Sequence, residues 1–149
     1  MEFGFPAQKI LNFDIEVRPL GWYGRDWVHK ETTAIAWQWI SHPSQSSKLR
    51  CGQLTRRPGS MVRMLKFFKK AYDDADIVVG HWIRGFDLPL LQWAMIDNDL
   101  PLLGEKLTHD TKEALVKFQG ASKSQMNLAS VLGIDSPKVN MTQQDWREA

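Results

Sequence analysis

The hydrophobic pattern of this chain first changes period near residue 57, and that change narrows the folds open to it. Before it, apolar residues alternate. In ILNFDIEV (10–17), Leu11, Phe13, Ile15 and Val17 share one set of positions, and Ile10, Asn12, Asp14 and Glu16 share the other. That is the period of a β-strand. TTAIAWQWI (32–40) repeats it, with Ile35, Trp37 and Trp39 set against Ala34, Ala36 and Gln38. After a turn at 41–47, KLRCGQLT (48–55) predicts a third strand, and RPLGWYGRDWVHKE (18–31) reads as a long, turn-rich connection. Beyond the change, Met61, Leu65, Phe68 and Tyr72 fall at helical spacing behind Ser60, a suitable N-cap. DIVVGH (76–81) predicts a short strand of the type buried on both faces of a parallel sheet. FDLPLLQWAMIDND (86–99) predicts a helix that tolerates Pro89 in its first turn, and KLTHDT (106–111) a fifth short strand. KEALVKFQG (112–120) and SQMNLASVLGI (124–134) predict two more helices, the second closed by Gly133. Three antiparallel strands followed by alternating helix and strand imply an α/β mixed sheet flanked by helices. Ligands of such sheets gather beyond strand ends and at helix starts.

At 149 residues the chain is long enough for one domain with a real core. Its net charge of +2 permits a nucleic-acid partner without requiring one. A single cysteine, Cys51, excludes an intramolecular disulfide and a cysteine-based zinc site. The N-terminal residues lack a signal-peptide core, and no apolar run reaches membrane-spanning length, so the expected location is cytoplasmic with no membrane partner. For the same reason the glycosylation-type triplet Asn140-Met141-Thr142 carries no weight.

Two acids interrupt the first strand. Asp14 and Glu16 lie on the same face, about 7 Å apart. Either that face is wet, or a cation relieves the repulsion between them; hard oxygen donors suit Mg²⁺ or Mn²⁺. Asp87 follows a short strand at the head of a helix, where it serves either as an N-cap or as a further ligand. Asp110 ends a later strand and has the same choice. All of these acids can approach one end of the same sheet.

In this order the segments resemble the DEDD family of 3′–5′ exonucleases, the DnaQ-like members of the ribonuclease H-like fold. Asp14-Ile15-Glu16 matches the family's Asp-x-Glu, and the run Gly80-His81-Trp82-Ile83-Arg84-Gly85-Phe86-Asp87 matches its GHN…FD pattern except at Trp82, where the family has Asn. The stretch from THDT to LGI is similar to phage-encoded predicted exonucleases. The likeness spans roughly residues 9–146. The family's third motif, a Tyr or His a few residues before a last Asp, is missing: neither Asp135 nor Asp145 has one four or five positions earlier. The resemblance therefore implies a single domain, 1–149, cut short before its last catalytic helix, with impaired activity in this form.

What the resemblance implies about chemistry is specific. Asp14, Glu16 and Asp87 are the catalytic and metal-binding candidates of a two-ion phosphodiester hydrolase, with Mg²⁺ or Mn²⁺ as cofactor. Asp14 would bridge both ions, Glu16 would hold the ion on the nucleophile side, and Asp87 would act on the other mainly through water. The implied substrate is the 3′ end of single-stranded nucleic acid, DNA favoured over RNA, with replication or repair proteins as further partners and a bacterial host's cytoplasm if the chain is phage-encoded. The alternative is a non-catalytic ribonuclease H-like domain that binds nucleic acid or protein.

Substrate-binding candidates are Trp22, Tyr23, Arg25, Trp82 and Phe86, since aromatic faces stack bases and Arg pairs with phosphate. The plainer reading is that these aromatics pack on the sheet. His81 and Asp110 read as structural, His81 as a hydrogen-bonding support for the strand–helix turn. Arg63, Lys66 and Lys70 share a helical face that is either simply solvated or a basic track.

Overall fold

The computed structural model describes residues 6–23, 26–116 and 120–135, with the side chains of 21–29 outside the description. Five strands form one mixed sheet: β1 (Ile10–Tyr23), β2 (Asp26–Ser41), β3 (Arg50–Gln53), β4 (Ile77–Gly80) and β5 (Leu107–Asp110), in the spatial order β3-β2-β1-β4-β5. β1, β2 and β3 are antiparallel neighbours, whereas β4 runs parallel to both β1 and β5. The helices are α1 (Ser60–Asp74), α2 (Leu88–Asp97), α3 (Thr111–Ala114) and α4 (Gln125–Val131), with a π-helical turn, Ile83–Asp87, leading into α2. This is the α/β mixed sheet that the order of periods implies.

One face of the sheet carries the core. Leu11, Phe13 and Ile15 of β1, Ile35, Trp37 and Trp39 of β2, and Val78 of β4 are buried there against Leu65, Phe68 and Tyr72 of α1 and Leu91 and Met95 of α2. Phe68 is the hub, with ring centroids 5.1 Å from Phe13 and 5.7 Å from Trp37. The opposite face holds Asn12, Asp14, Glu16, Ala34, Ala36, Ile77 and Val79, none fully buried. β4 therefore departs from the expectation of burial on both faces. It is parallel and central, but the described helices α1 and α2 cover only the side of Val78.

Residues 18–31 also differ from expectation. They are paired strand rather than connection: Arg18 lies opposite Glu31, Pro19 opposite Lys30 and Gly21 opposite His29. Pro19 and Gly21 signal turns in the sequence, but register shifts at Glu16/Val17, Pro19/Gly21 and Gly21/Trp22 absorb them. Among the described residues, β1 pairs with β4 only at Ile10–Asn12, so further along it has an open edge, where proline is tolerated. The Arg18 Nε–Glu31 Oε2 pair, at 2.7 Å, ties the two strands together there.

Ser60 is not the cap of α1. Gly59 holds that position in the left-handed region, φ 70°, while the Ser60 hydroxyl accepts from the Thr55 backbone N–H at 2.7 Å. At the other end of the chain, α3 is one turn instead of the helix expected over 112–120, and Val116 just beyond it is exposed. Residues 117–119 lie outside the described residues. α4 ends as expected at Gly133, φ 67°. No helix among the described residues is long and apolar enough to cross a membrane.

Candidate functional site

The site grows from a mismatch in strand length. β4 stops at Gly80, one step past the Asn12–Val79 pair, while β1 runs on to Tyr23. The chain must turn away at once and stay close. A Cβ on Gly80 would fall 2.2 Å from Ile83 Cγ2 and 2.9 Å from the Phe13 carbonyl oxygen, so only glycine fits. Trp82 then adopts φ 66°, the left-handed region that a bulky residue rarely enters. The π-helical turn carries the next residues across the open edge of β1.

That path delivers Asp87. Its side chain makes no cap bond to α2; its Oδ1 instead accepts the Ile15 N–H at 3.1 Å, 72 residues away in sequence. Past Asn12 that edge of β1 has no described strand neighbour, and a carboxylate takes the donor a strand would have paired. Asp87 is only 2% exposed, set against the backbone between Asp14 and Glu16.

Asp14 and Glu16 project from the other face of β1, half-buried, opposite Ala36 and Ala34 of β2. These short cross-strand neighbours leave the carboxylates without bulky cover from β2. Carboxylate oxygens are the donor type that Mg²⁺ and Mn²⁺ prefer. Among the described residues, however, no three His, Cys, Asp or Glu side chains converge closely enough to hold an ion between them. The acids suit a divalent ion in kind, but they do not form a converged set.

A second buried aspartate holds the turn itself. Asp110 Oδ1 accepts from the N–H groups of Trp82 at 2.9 Å, Lys112 at 3.0 Å and Glu113 at 3.3 Å, and Oδ2 accepts from Arg84 at 3.0 Å. Burial disfavours its charged form, but the N–H groups of Arg84, Trp82, Glu113 and Lys112 outweigh burial and lower its pKa below the ordinary carboxylate value. His81 Nδ1 lies 2.9 Å from Thr111 Oγ1, whose hydroxyl donates to the Gly80 carbonyl. Arg84 reinforces the same junction, donating to the Thr108 hydroxyl and carbonyl and pairing with Glu113. Arg84 was not among the sequence candidates. Its place between Trp82 and Phe86 in the second motif was the available signal.

Trp82 and Phe86 stack at 5.5 Å with their planes 14° apart. Lys112 Nζ sits 3.7 Å from the Trp82 ring centre, and Lys30 Nζ sits 5.2 Å from that of Phe86. Gly85 makes room for the indole, since a Cβ there would lie 2.3 Å from Trp82 Nε1. The result is a half-exposed aromatic pair flanked by two ammonium groups, beside the motif that ends in Asp87. The side chains of Trp22 and Tyr23, and all of Arg25, lie outside the described residues.

No family model and no curated protein sequence matches the chain. Solved structures do. One is the family B DNA polymerase from the hyperthermophilic archaeon Pyrobaculum calidifontis, at 20% identity and a TM-score of 0.64 over 89% of this chain. The chain spans about a fifth of that polymerase, 19% of its length. At that identity the likeness is one of fold, and it agrees with the α/β mixed sheet described above.

Proposed function

We propose that this domain is a metal-dependent 3′–5′ exonuclease of the DEDD type, hydrolysing phosphodiester bonds at the 3′ ends of single-stranded nucleic acid, DNA before RNA. The observation that carries this reading is the bond from Ile15 N–H to Asp87, which sets a third acid against the backbone between Asp14 and Glu16. A fold shared with a DNA polymerase supports it and favours DNA. Mg²⁺ or Mn²⁺ would be held by Asp14 and Glu16 with Asp87 beside them, and such ions supply an activated water and neutralise charge on the leaving 3′ oxygen.

The chain's own residues have separable duties. Asp87 fixes the backbone at Ile15, and so orients the acids on either side of it. Asp110 holds the turn that delivers Asp87. Trp82 and Phe86 offer stacking faces to the terminal bases, and Lys112 and Lys30 offer charge to phosphates. Three unconverged acids imply weak ion binding and slow turnover, and this same feature favours a second reading, a domain that binds nucleic acid without cutting it. Incubating the chain with a 5′-labelled single strand in Mn²⁺ separates the two. The expected outcome is slow stepwise shortening, stopped by EDTA and by Asp14→Ala. A strand that is bound but never shortened would establish the second reading in its place.

A further inference from the structure

Away from the acids, an open cleft of about 480 Å³ lies where β3 meets the start of α1. Gly52 is part of its lining, and a Cβ there would lie 2.9 Å from Met64 Cγ, so a larger residue would push the Met64 side chain aside. Arg57, Arg63, Thr55 and Phe67 line the walls. Phe67 is 47% exposed and is held edge-on against Trp37, centroids 4.7 Å apart, so part of its ring meets solvent while its position is fixed. Arg50 lies opposite Trp37 in the β2–β3 register, two residues from Gly52 on the same side of the sheet.

The ion pairs among the described residues use Lys9, Arg18, His42, Lys69 and Arg84, and none uses Arg50, Arg57, Arg63, Lys66 or Lys70. Nor do these cations stabilise their helix. α1 has no acid in its first turn and no base in its last, and Asp73 and Asp74 sit at its C-terminal end, against the direction its dipole favours. Those two acids are committed to Lys69 and to Lys9 and His42. The acids of this helix therefore lie at its C-terminal end, and Arg63 is the base of α1 that lines the cleft. Two guanidinium forks suit phosphate, and a fixed, half-exposed aromatic ring suits a base.

We infer that the cleft between β3 and α1 is a second binding site for single-stranded nucleic acid, with Arg57 and Arg63 on backbone phosphates, Phe67 stacking a base, and Lys66 and Lys70 extending the track. From Arg63 to Lys70 the helix advances about 10 Å, enough for the strand to meet more than one cation. The site does not depend on the acids of β1, and so stands or falls separately from the nuclease reading.

The test is fluorescence anisotropy with labelled oligothymidylate about 10 nucleotides long, in EDTA so that no strand is cut. Arg57→Ser with Arg63→Ser is expected to weaken binding about tenfold and to flatten the dependence of log affinity on log salt by about 1.4, two phosphate contacts on a single strand. Because Arg63 also donates to the Pro58 carbonyl, a second pair, Arg57→Ser with Lys66→Gln, removes charge without touching that bond and should lose severalfold. Phe67→Leu should weaken oligothymidylate severalfold while leaving an abasic strand of equal length unchanged. Folded double variants that bind within twofold of the parent would overturn the inference. Competition by polyglutamate equal to that by oligothymidylate, charge for charge, would overturn it too.

Discussion

Two strand–helix junctions in this molecule are built alike and do different work. At each, a parallel strand ends, a helical turn begins, and an aspartate 2% exposed sits at the boundary: Asp87 before α2 and Asp110 before α3. Asp110 spends its oxygens locally and next door, capping Lys112 and Glu113 and gripping Trp82 and Arg84. Asp87 caps nothing in its own helix and reaches across to β1. One aspartate assembles a junction. The other is delivered by that junction to the Ile15 backbone N–H of another strand. Burial and local sequence do not distinguish them; their hydrogen-bond partners do.

The largest expected effect is on the assembling residue. Asp110→Ala strands several backbone N–H groups and should destabilise the domain by about 3 kcal/mol or more in chemical denaturation. Asp87→Ala removes the acceptor of the Ile15 N–H and should cost about 1–3 kcal/mol, less than Asp110→Ala. Equal losses at both positions would break the comparison. Asp87→Asn keeps an acceptor oxygen for Ile15, so stability should stay near the parent's while Mn²⁺ binding falls.

Acid titration sharpens the contrast further. The folded-state pKa of Asp110 lies below its ordinary value of 3.8. Its contribution is therefore fully present above the unfolded value and disappears as pH falls through the lowered one. The stability gap between the parent and Asp110→Asn should be constant at neutral pH and shrink below about pH 3.8; a gap that widens on acidification would contradict the assignment. A small stability effect is expected for Trp82→Gly as well. Relief of the left-handed backbone offsets the lost stack with Phe86, so melting should move by about 1 kcal/mol or less while binding of a single strand weakens by about 1–3 kcal/mol.

Much of the fold was legible because period and order are local properties. The alternation in 10–17 and 32–40 and the helical spacing from Met61 to Tyr72 needed no tertiary information. The rest depended on neighbours. Pro19 and Gly21 read as turn residues, and only the open edge of β1 and the bulges beside them show why they can lie in a strand. Ser60 has cap chemistry, but Thr55 claims its hydroxyl and Gly59 takes the cap position. Of the helix expected at 112–120, the described residues form one turn, Thr111–Ala114, and Val116 beyond it is exposed. In the site, Asp14, Glu16 and Asp87 were visible as residue types. That Asp87 meets the Ile15 backbone rather than capping α2 was not, because it follows from where β4 stops. The π-helical turn was hidden for the same reason, since its cause is the tight passage at Gly80 and the grip of Asp110.

The proposed centre joins Asp87 to the acids of β1. Electron paramagnetic resonance of free Mn²⁺ during titration of the parent, Asp14→Asn and Asp87→Asn, each with its melting temperature, tests that union. Weak Mn²⁺ binding to the parent is expected, lost in both variants while both melt like the parent. Binding that survives either substitution, or a parent that binds no Mn²⁺ at millimolar concentration, would contradict it.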